Sequence, residues 1–344
     1  MPLVDLLKAL ASQLIVWHHL AFYGPMSDVV YPYAPALIGW HYDYARMAVQ
    51  VFLVIGGFLT ARGLAPRMVI EQRSRMIPVM LWKRYVRLAR PYLAALVAAI
   101  AAAAFARALI RYPSTPEAPT LAQIAAHVFL LQDIVGQEAL SAGVWYVAID
   151  FQLYALVLLL LWLARAIATR FEVRSTVLSL SICTTLAAAS LWWLNRQPSL
   201  DAWAPYFFGA YGLGILAHWI SSQPRKGRWL GALVLLIAAS LAIEWRTRIL
   251  IAGITALLLA ATGGAAAAIG WARAAWVAAL SRISYSVFLI HYAVILAVSA
   301  IVFRLWPASH TANAVGMAAA WLLSLGAGAL LYQYAEAPRQ TQPR

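Results

Sequence analysis

The chain has 344 residues, 64% of them hydrophobic and only 11% charged, at a mean hydropathy of +0.76. A soluble domain carries roughly 25% charged residues, so this composition excludes one and calls for a bilayer. Lys and Arg outnumber Asp and Glu by 26 to 12, but they lie between apolar runs with no aromatic-interleaved stripe, and the single cysteine, Cys183, allows no intramolecular disulfide; a nucleic-acid module and a Cys/His metal site are excluded with it.

About twenty apolar residues cross the roughly 30 Å hydrocarbon core as a helix. The first such segment, 5–23, starts beside Met1 and has no small-residue cleavage site after it, so it is expected to be a retained helix rather than a signal peptide. It carries Asp5, Lys8, His18 and His19. A Pro- and Tyr-rich outer loop, 24–43, leads to the second span, 44–64, which contains Gln50. A basic hinge follows, with Arg62, Arg73, Arg84 and Arg87 among its charges, and Arg73 and Arg84 enclose ten residues. The third span, 85–106, precedes a long outer loop, 107–142, that opens on Pro113, Pro116 and Pro119. Its apolar piece, 121–134, is too short to cross and predicts an interfacial or re-entrant helix. The fourth span, 143–164, holds Trp145, Asp150 and Gln152. Spans 176–194, 203–220, 228–244, 248–269, 283–303 and 313–334 complete the series, the ninth bringing Tyr285 and His291. No repeat of fixed period is visible. Residues 1–344 therefore predict one all-α polytopic membrane bundle of about ten transmembrane helices.

The charges predict its orientation. With the N-terminus inside, inner segments hold 19 of the 26 basic residues and outer segments 7, which is the positive-inside bias and puts both termini in the cytoplasm. The hinge arginines are open to two readings. Each one alone is accounted for as a cytoplasmic anchor; together they exceed what anchoring one helix end requires and match a phosphate-bearing ligand, since guanidinium forks bind phosphate oxygens in pairs.

Ionisable residues inside spans mark function by default. At 1.5 Å per residue, His19 lies roughly 21 Å from the inner face, and Asp150, running the other way, roughly 10 Å below the outer face, near Gln50. A histidine and a carboxylate at one level predict a general base whose tautomer the acid fixes. The alternative is a structural pair that ties two helices. His18 and His19 point about 100° apart, so only one easily faces this layer. His291 and Tyr285 are weaker candidates, because a lone polar residue in an apolar helix is more often a satisfied packing group.

Six motifs in order then resemble the membrane acyltransferase 3 family. Asp5-Leu-Leu-Lys-Ala-Leu-Ala11 with His19 resembles its "DGLRAIA…H" opening, and Val49-Gln-Val-Phe-Leu-Val-Ile-Gly-Gly-Phe-Leu59 its "VDxFFVxSGFL". Arg73 and Arg84 resemble its R-x10-R pair, and Trp145-Tyr-Val-Ala-Ile-Asp-Phe-Gln-Leu-Tyr154 its "WSLSVEEQFY". Ser284-Tyr-Ser-Val-Phe-Leu-Ile-His291 resembles "SYSLYLxH", and Tyr334-Ala-Glu-Ala-Pro338 the closing "YVERP". Lys8, Gln50, Gly56 and Asp150-Phe151 depart from the family's arginine, aspartate, serine and paired glutamates. The resemblance implies an enzyme that transfers an acyl group, often acetyl, from acetyl-CoA or another acyl-CoA to a hydroxyl of a glycan, lipid-linked sugar or small molecule. It implies that His19 is the essential histidine and that Arg73 and Arg84 form the arginine pair. The expectation is an integral protein of a bacterial inner membrane. Its His19 would be oriented by Asp150, its donor bound by Arg62, Arg73, Arg84 and Arg87, and its acceptor met by Gln50, Trp145, Tyr285 and His291, with no metal. A transporter or permease for an anionic or amphipathic solute, using the same polar layer, is the rival class; a labelled acyl group would separate the two.

Overall fold

The structure, a computed structural model, describes residues 1–64, 76–265 and 270–337. It is 82% helical, and no strand occurs among the described residues. Each of the ten predicted segments overlaps a helix, although the eighth, 248–269, runs past its helix end at Thr262, and its residues 266–269 lie outside the described ones. The helices concerned are α1 (Pro2–Phe22), α4 (Ala48–Leu64), α5 (Met76–Leu109), α7 (Val144–Phe171), α8 (Ser175–Trp192), α9 (Ala204–Ser221), α10 (Lys226–Ile243), α11 (Thr247–Thr262), α12 (Ala275–Leu305) and α13 (His310–Leu331). The short helices α2 (Met26–Val30), α3 (Pro35–Asp43) and α6 (Leu121–Val128) lie in the two long loops. Seven helical segments are long and apolar enough to cross a membrane, from Pro35–Leu64 to His310–Glu336. Those seven do not include α1, whose face is interrupted by Asp5, Lys8 and two histidines, nor α9; α11 is apolar but only 16 residues long.

Several helices overrun their predicted spans. α5 has 34 residues and α12 has 31, about 50 Å and 46 Å at 1.5 Å per residue, well beyond the roughly 30 Å core. The apolar window marks only the part in hydrocarbon. Met, Leu, Lys and Arg continue the helix outside it because they are good helix formers. α6 starts where the sequence signals it: the Thr120 side chain accepts from the Gln123 N–H, and the Gln123 side chain accepts from the Thr120 N–H.

The chain divides into two compact units. Unit 1 comprises Met1–Ala11, Met47–Tyr85 and Ala148–Ala278, and unit 2 comprises Ser12–Arg46, Val86–Val147 and Ala279–Arg344. In unit 1, α4 and α9 cross almost backbone to backbone. A Cβ on Gly57 would collide with the Tyr211 carbonyl, and one on Gly214 with the Val54 carbonyl. Lipid tails are as apolar as leucine, so helices in a bilayer associate through such close van der Waals contact, which only small residues permit. In unit 2 the core gathers Val16, Leu20, Met26, Val287, Ile295 and Met317 from α1, α2, α12 and α13.

Candidate active site

Unit 2 contains the histidines. Their roughly 100° separation on α1 sends them to different partners. His18 Nδ1 donates to the His41 carbonyl at 3.1 Å and its ring lies against Phe22, so it ties α1 to α3. His19 turns to α12, where its Nδ1 is 2.6 Å from Nε2 of His291 and the two rings are 9° from parallel. His291 is fully buried, and its Nδ1 is 3.1 Å from the Val287 carbonyl oxygen one turn back.

This chain of contacts fixes both tautomers. A carbonyl oxygen only accepts, so the His291 hydrogen sits on Nδ1. In the neutral ring His291 Nε2 is then the acceptor, and His19 must donate from its own Nδ1. The lone pair of the pair is left on His19 Nε2. His19 is partly exposed and stands beside Tyr23. A partly exposed imidazole with an open lone pair and an acceptor behind it has the geometry of a general base.

In unit 1, Arg84 Nη2 lies 2.5 Å from Asp150 Oδ2, with the Asp150 side chain only 8% exposed. The guanidinium also stands 5.1 Å from the centre of the Tyr154 ring. Tyr211 and Thr60 share a hydrogen bond of 2.6 Å close by. Gly56 leaves room for them: a Cβ there would come 3.1 Å from Tyr211 Cε2 and 3.7 Å from Asp150 Oδ1. Depth counting places Arg84 on the hinge and Asp150 near the outer face, yet they touch. The count starts α5 near residue 85, whereas the helix begins at Met76, so Arg84 already sits about 12 Å along it.

The family model described as an acyltransferase domain matches residues 2–333, from α1 through α13. The chain belongs to the membrane acyltransferase 3 family. No curated protein and no solved structure gives a match. With its long apolar helices, this acyltransferase 3 protein is an integral membrane acyltransferase.

The remaining predicted site residues of the acyltransferase have the following surroundings. Arg73 lies outside the described residues. Arg62, exposed at the end of α4, reaches the Met1 sulfur, and Arg87 is exposed on α5. Gln50 is partly buried and borders a small cavity with Tyr206 and Arg248. Trp145 packs edge-on to Tyr146. Tyr285 donates to the Leu88 carbonyl at 3.1 Å, which joins α12 to α5. Gln152 clamps backbone on both sides of Trp203, donating to the Ala202 carbonyl and accepting from the Ala204 N–H.

Sequence reasoning undervalued His291 as a partner of His19. The available signal was its place at the end of the Ser284–His291 motif, on an otherwise apolar helix. It also missed what holds Arg246 and Arg248. Arg246 donates to the Asn195 carbonyl at 2.9 Å and pairs with Glu244, while Arg248 donates to the same carbonyl at 2.7 Å. The hydrogen bond from Arg246 holds the Glu244 carboxyl below its usual range. In unit 2, Tyr112 donates to Asp28, and burial together with that carboxylate raises the phenol's pKa. That Tyr112–Asp28 hydrogen bond links the two long loops of the acyltransferase.

Proposed function

We propose that the protein is an O-acyltransferase that uses acetyl-CoA or another acyl-CoA and a hydroxyl acceptor on a glycan, lipid-linked sugar or small molecule. His19 Nε2 takes the proton of the acceptor hydroxyl as its oxygen attacks the thioester carbonyl. The carbon–sulfur bond then breaks, the acyl group leaves on the acceptor oxygen, and the CoA thiolate receives the proton from the imidazolium. His291, backed by the Val287 carbonyl, holds the tautomer and accepts from Nδ1 while His19 is charged. That relay is the observation that carries the proposal.

Asp150 has a different role here from the one its sequence position implies. Its carboxylate is bound to Arg84 at 2.5 Å, so it orients a guanidinium, and Arg84 serves with Arg62, Arg73 and Arg87 in recognising the phosphates of the donor. Tyr285 and His291 position neighbouring groups instead of touching the acceptor. The bundle crosses a bacterial inner membrane about ten times with both termini in the cytoplasm, in accord with the loop charges.

The test is transfer of a labelled acyl group by the purified protein. His19→Ala should insert and fold normally and transfer nothing above background. Full transfer by that variant would end the proposal, and wild-type transport of an intact labelled donor or acceptor without acyl exchange would favour a permease.

A further inference from the structure

Attack on a thioester moves an electron pair onto the carbonyl oxygen, and a site that carries out this step needs a hydrogen-bond donor for that charge. Three side chains in unit 2 have rings against His19: His18, Tyr23 and His291. Two of them are already spent. His18 donates its Nδ1 hydrogen to the His41 carbonyl and, in the neutral ring, has no second one to give. His291 donates to the Val287 carbonyl and accepts from His19. Tyr23 differs from both. It is half-buried, stands one turn beyond His19 directly after α1, and its ring centre lies 5.5 Å from that of His19. Among the described residues its hydroxyl has no hydrogen-bond partner.

The rest of Tyr23 is held. Its N–H donates to the His19 carbonyl at 3.0 Å, and its own carbonyl accepts from the Ser114 hydroxyl at 2.9 Å. Its ring packs edge-on against Tyr292 at 4.8 Å and Phe22 at 5.0 Å, beside the apolar group of Ala103, Ala142 and Leu296. A tyrosine packed in this way usually gives its hydroxyl a partner, as the neighbouring Tyr292 does by donating to the Ser114 carbonyl at 3.4 Å. A phenol fixed in place needs no reorganisation when charge develops, and apolar surroundings strengthen the bond it then makes. We infer that Tyr23 is a second catalytic residue, donating a hydrogen bond to the thioester carbonyl oxygen as it becomes an oxyanion; this rests on the acyltransferase reading with His19 as base. The new carbon–oxygen bond forms while His19 Nε2 takes the acceptor proton, and the displaced carbonyl pair is met by the Tyr23 O–H, which keeps its hydrogen. The pair then returns, the carbon–sulfur bond breaks, and the imidazolium proton goes to the CoA thiolate.

Acyl transfer by the purified full-length protein is compared for the unaltered chain, Tyr23→Phe and Tyr292→Phe, with thermal midpoints measured alongside. Tyr23→Phe keeps the ring and both backbone bonds. It should lower kcat about 100- to 1000-fold, as expected for the loss of one oxyanion donor, with both KM values and the midpoint unchanged. Fluorotyrosine in place of Tyr23, which retains a hydroxyl, should restore kcat. Tyr292→Phe, which removes only a hydroxyl bound to Ser114, should keep it. A wild-type kcat for Tyr23→Phe, a defect confined to KM, a midpoint that falls together with kcat, or an equal loss in Tyr292→Phe would each overturn the role of Tyr23 and leave that of His19 standing. Absence of acyl transfer by the unaltered chain would instead end the underlying reading, and this role with it.

Discussion

Replacing His291 by Phe isolates the relay behind His19. The phenyl ring fills this fully buried site with a flat aromatic group that carries no ring nitrogen. It removes the acceptor 2.6 Å from His19 Nδ1. When His19 takes a proton, that contact becomes a hydrogen bond to a charged donor, with a net value of about 1.5–3 kcal/mol. Its loss should slow kcat roughly 10- to 150-fold, and because the interaction strengthens as charge develops, the donor KM should stay unchanged. Initial rates of CoA release at saturating donor and acceptor, with donor KM measured alongside, decide the matter. His18→Phe is the control, since His18 serves the His41 carbonyl instead, and its kcat should remain near wild type. A wild-type kcat for His291→Phe, or a defect confined to KM, would refute the relay.

Asp150→Asn should lower thermal stability, since removing one partner of a largely buried ion pair costs on the order of 3 kcal/mol, and should raise the donor KM through a misplaced Arg84. Adding Arg84→Gln should restore part of the stability; a fall in kcat at constant donor KM would instead return Asp150 to His19. Gly214→Ala places a methyl against the Val54 carbonyl and should cost about 1–3 kcal/mol by overpacking, seen as a lower thermal midpoint. Gly39→Ala, which meets nothing within 4 Å, should not show it. His127 donates from Nδ1 to the Gln123 carbonyl and accepts the Leu140 N–H on Nε2, and burial depresses its pKa below 6.5 despite Asp133. Its contribution to loop stability is therefore complete above pH 6.5 and lost as pH falls through the depressed value. The protection factor of the Leu140 amide should drop on acidification from pH 7 to pH 5, and a flat profile would contradict this.

The helices were legible because crossing hydrocarbon imposes a run of apolar residues that few other structures need. Their ends were not, since nothing apolar marks where α5 begins at Met76 or where α12 begins at Ala275. The same gap misplaced Arg84 relative to Asp150: residue counting yields depth only from a known start. His19 was readable as a polar residue in a span and as part of a motif. Its partner was not, because facing depends on how α1 rotates toward α12, and two residues 272 positions apart carry no local trace of that. The close crossing at Gly57 and Gly214 is likewise a property of two helices together, although the small residues that permit it stand in plain view on α9.

Protonation of the His19 ring can be observed directly by nitrogen-15 NMR on the histidine-labelled protein, with His19→Ala and His291→Phe used to assign the signals. The relay predicts a hydrogen-bearing Nδ1 and a bare Nε2 on His19 at neutral pH. A protonated Nε2 with a bare Nδ1 would remove the base from the candidate site and contradict the proposed chemistry.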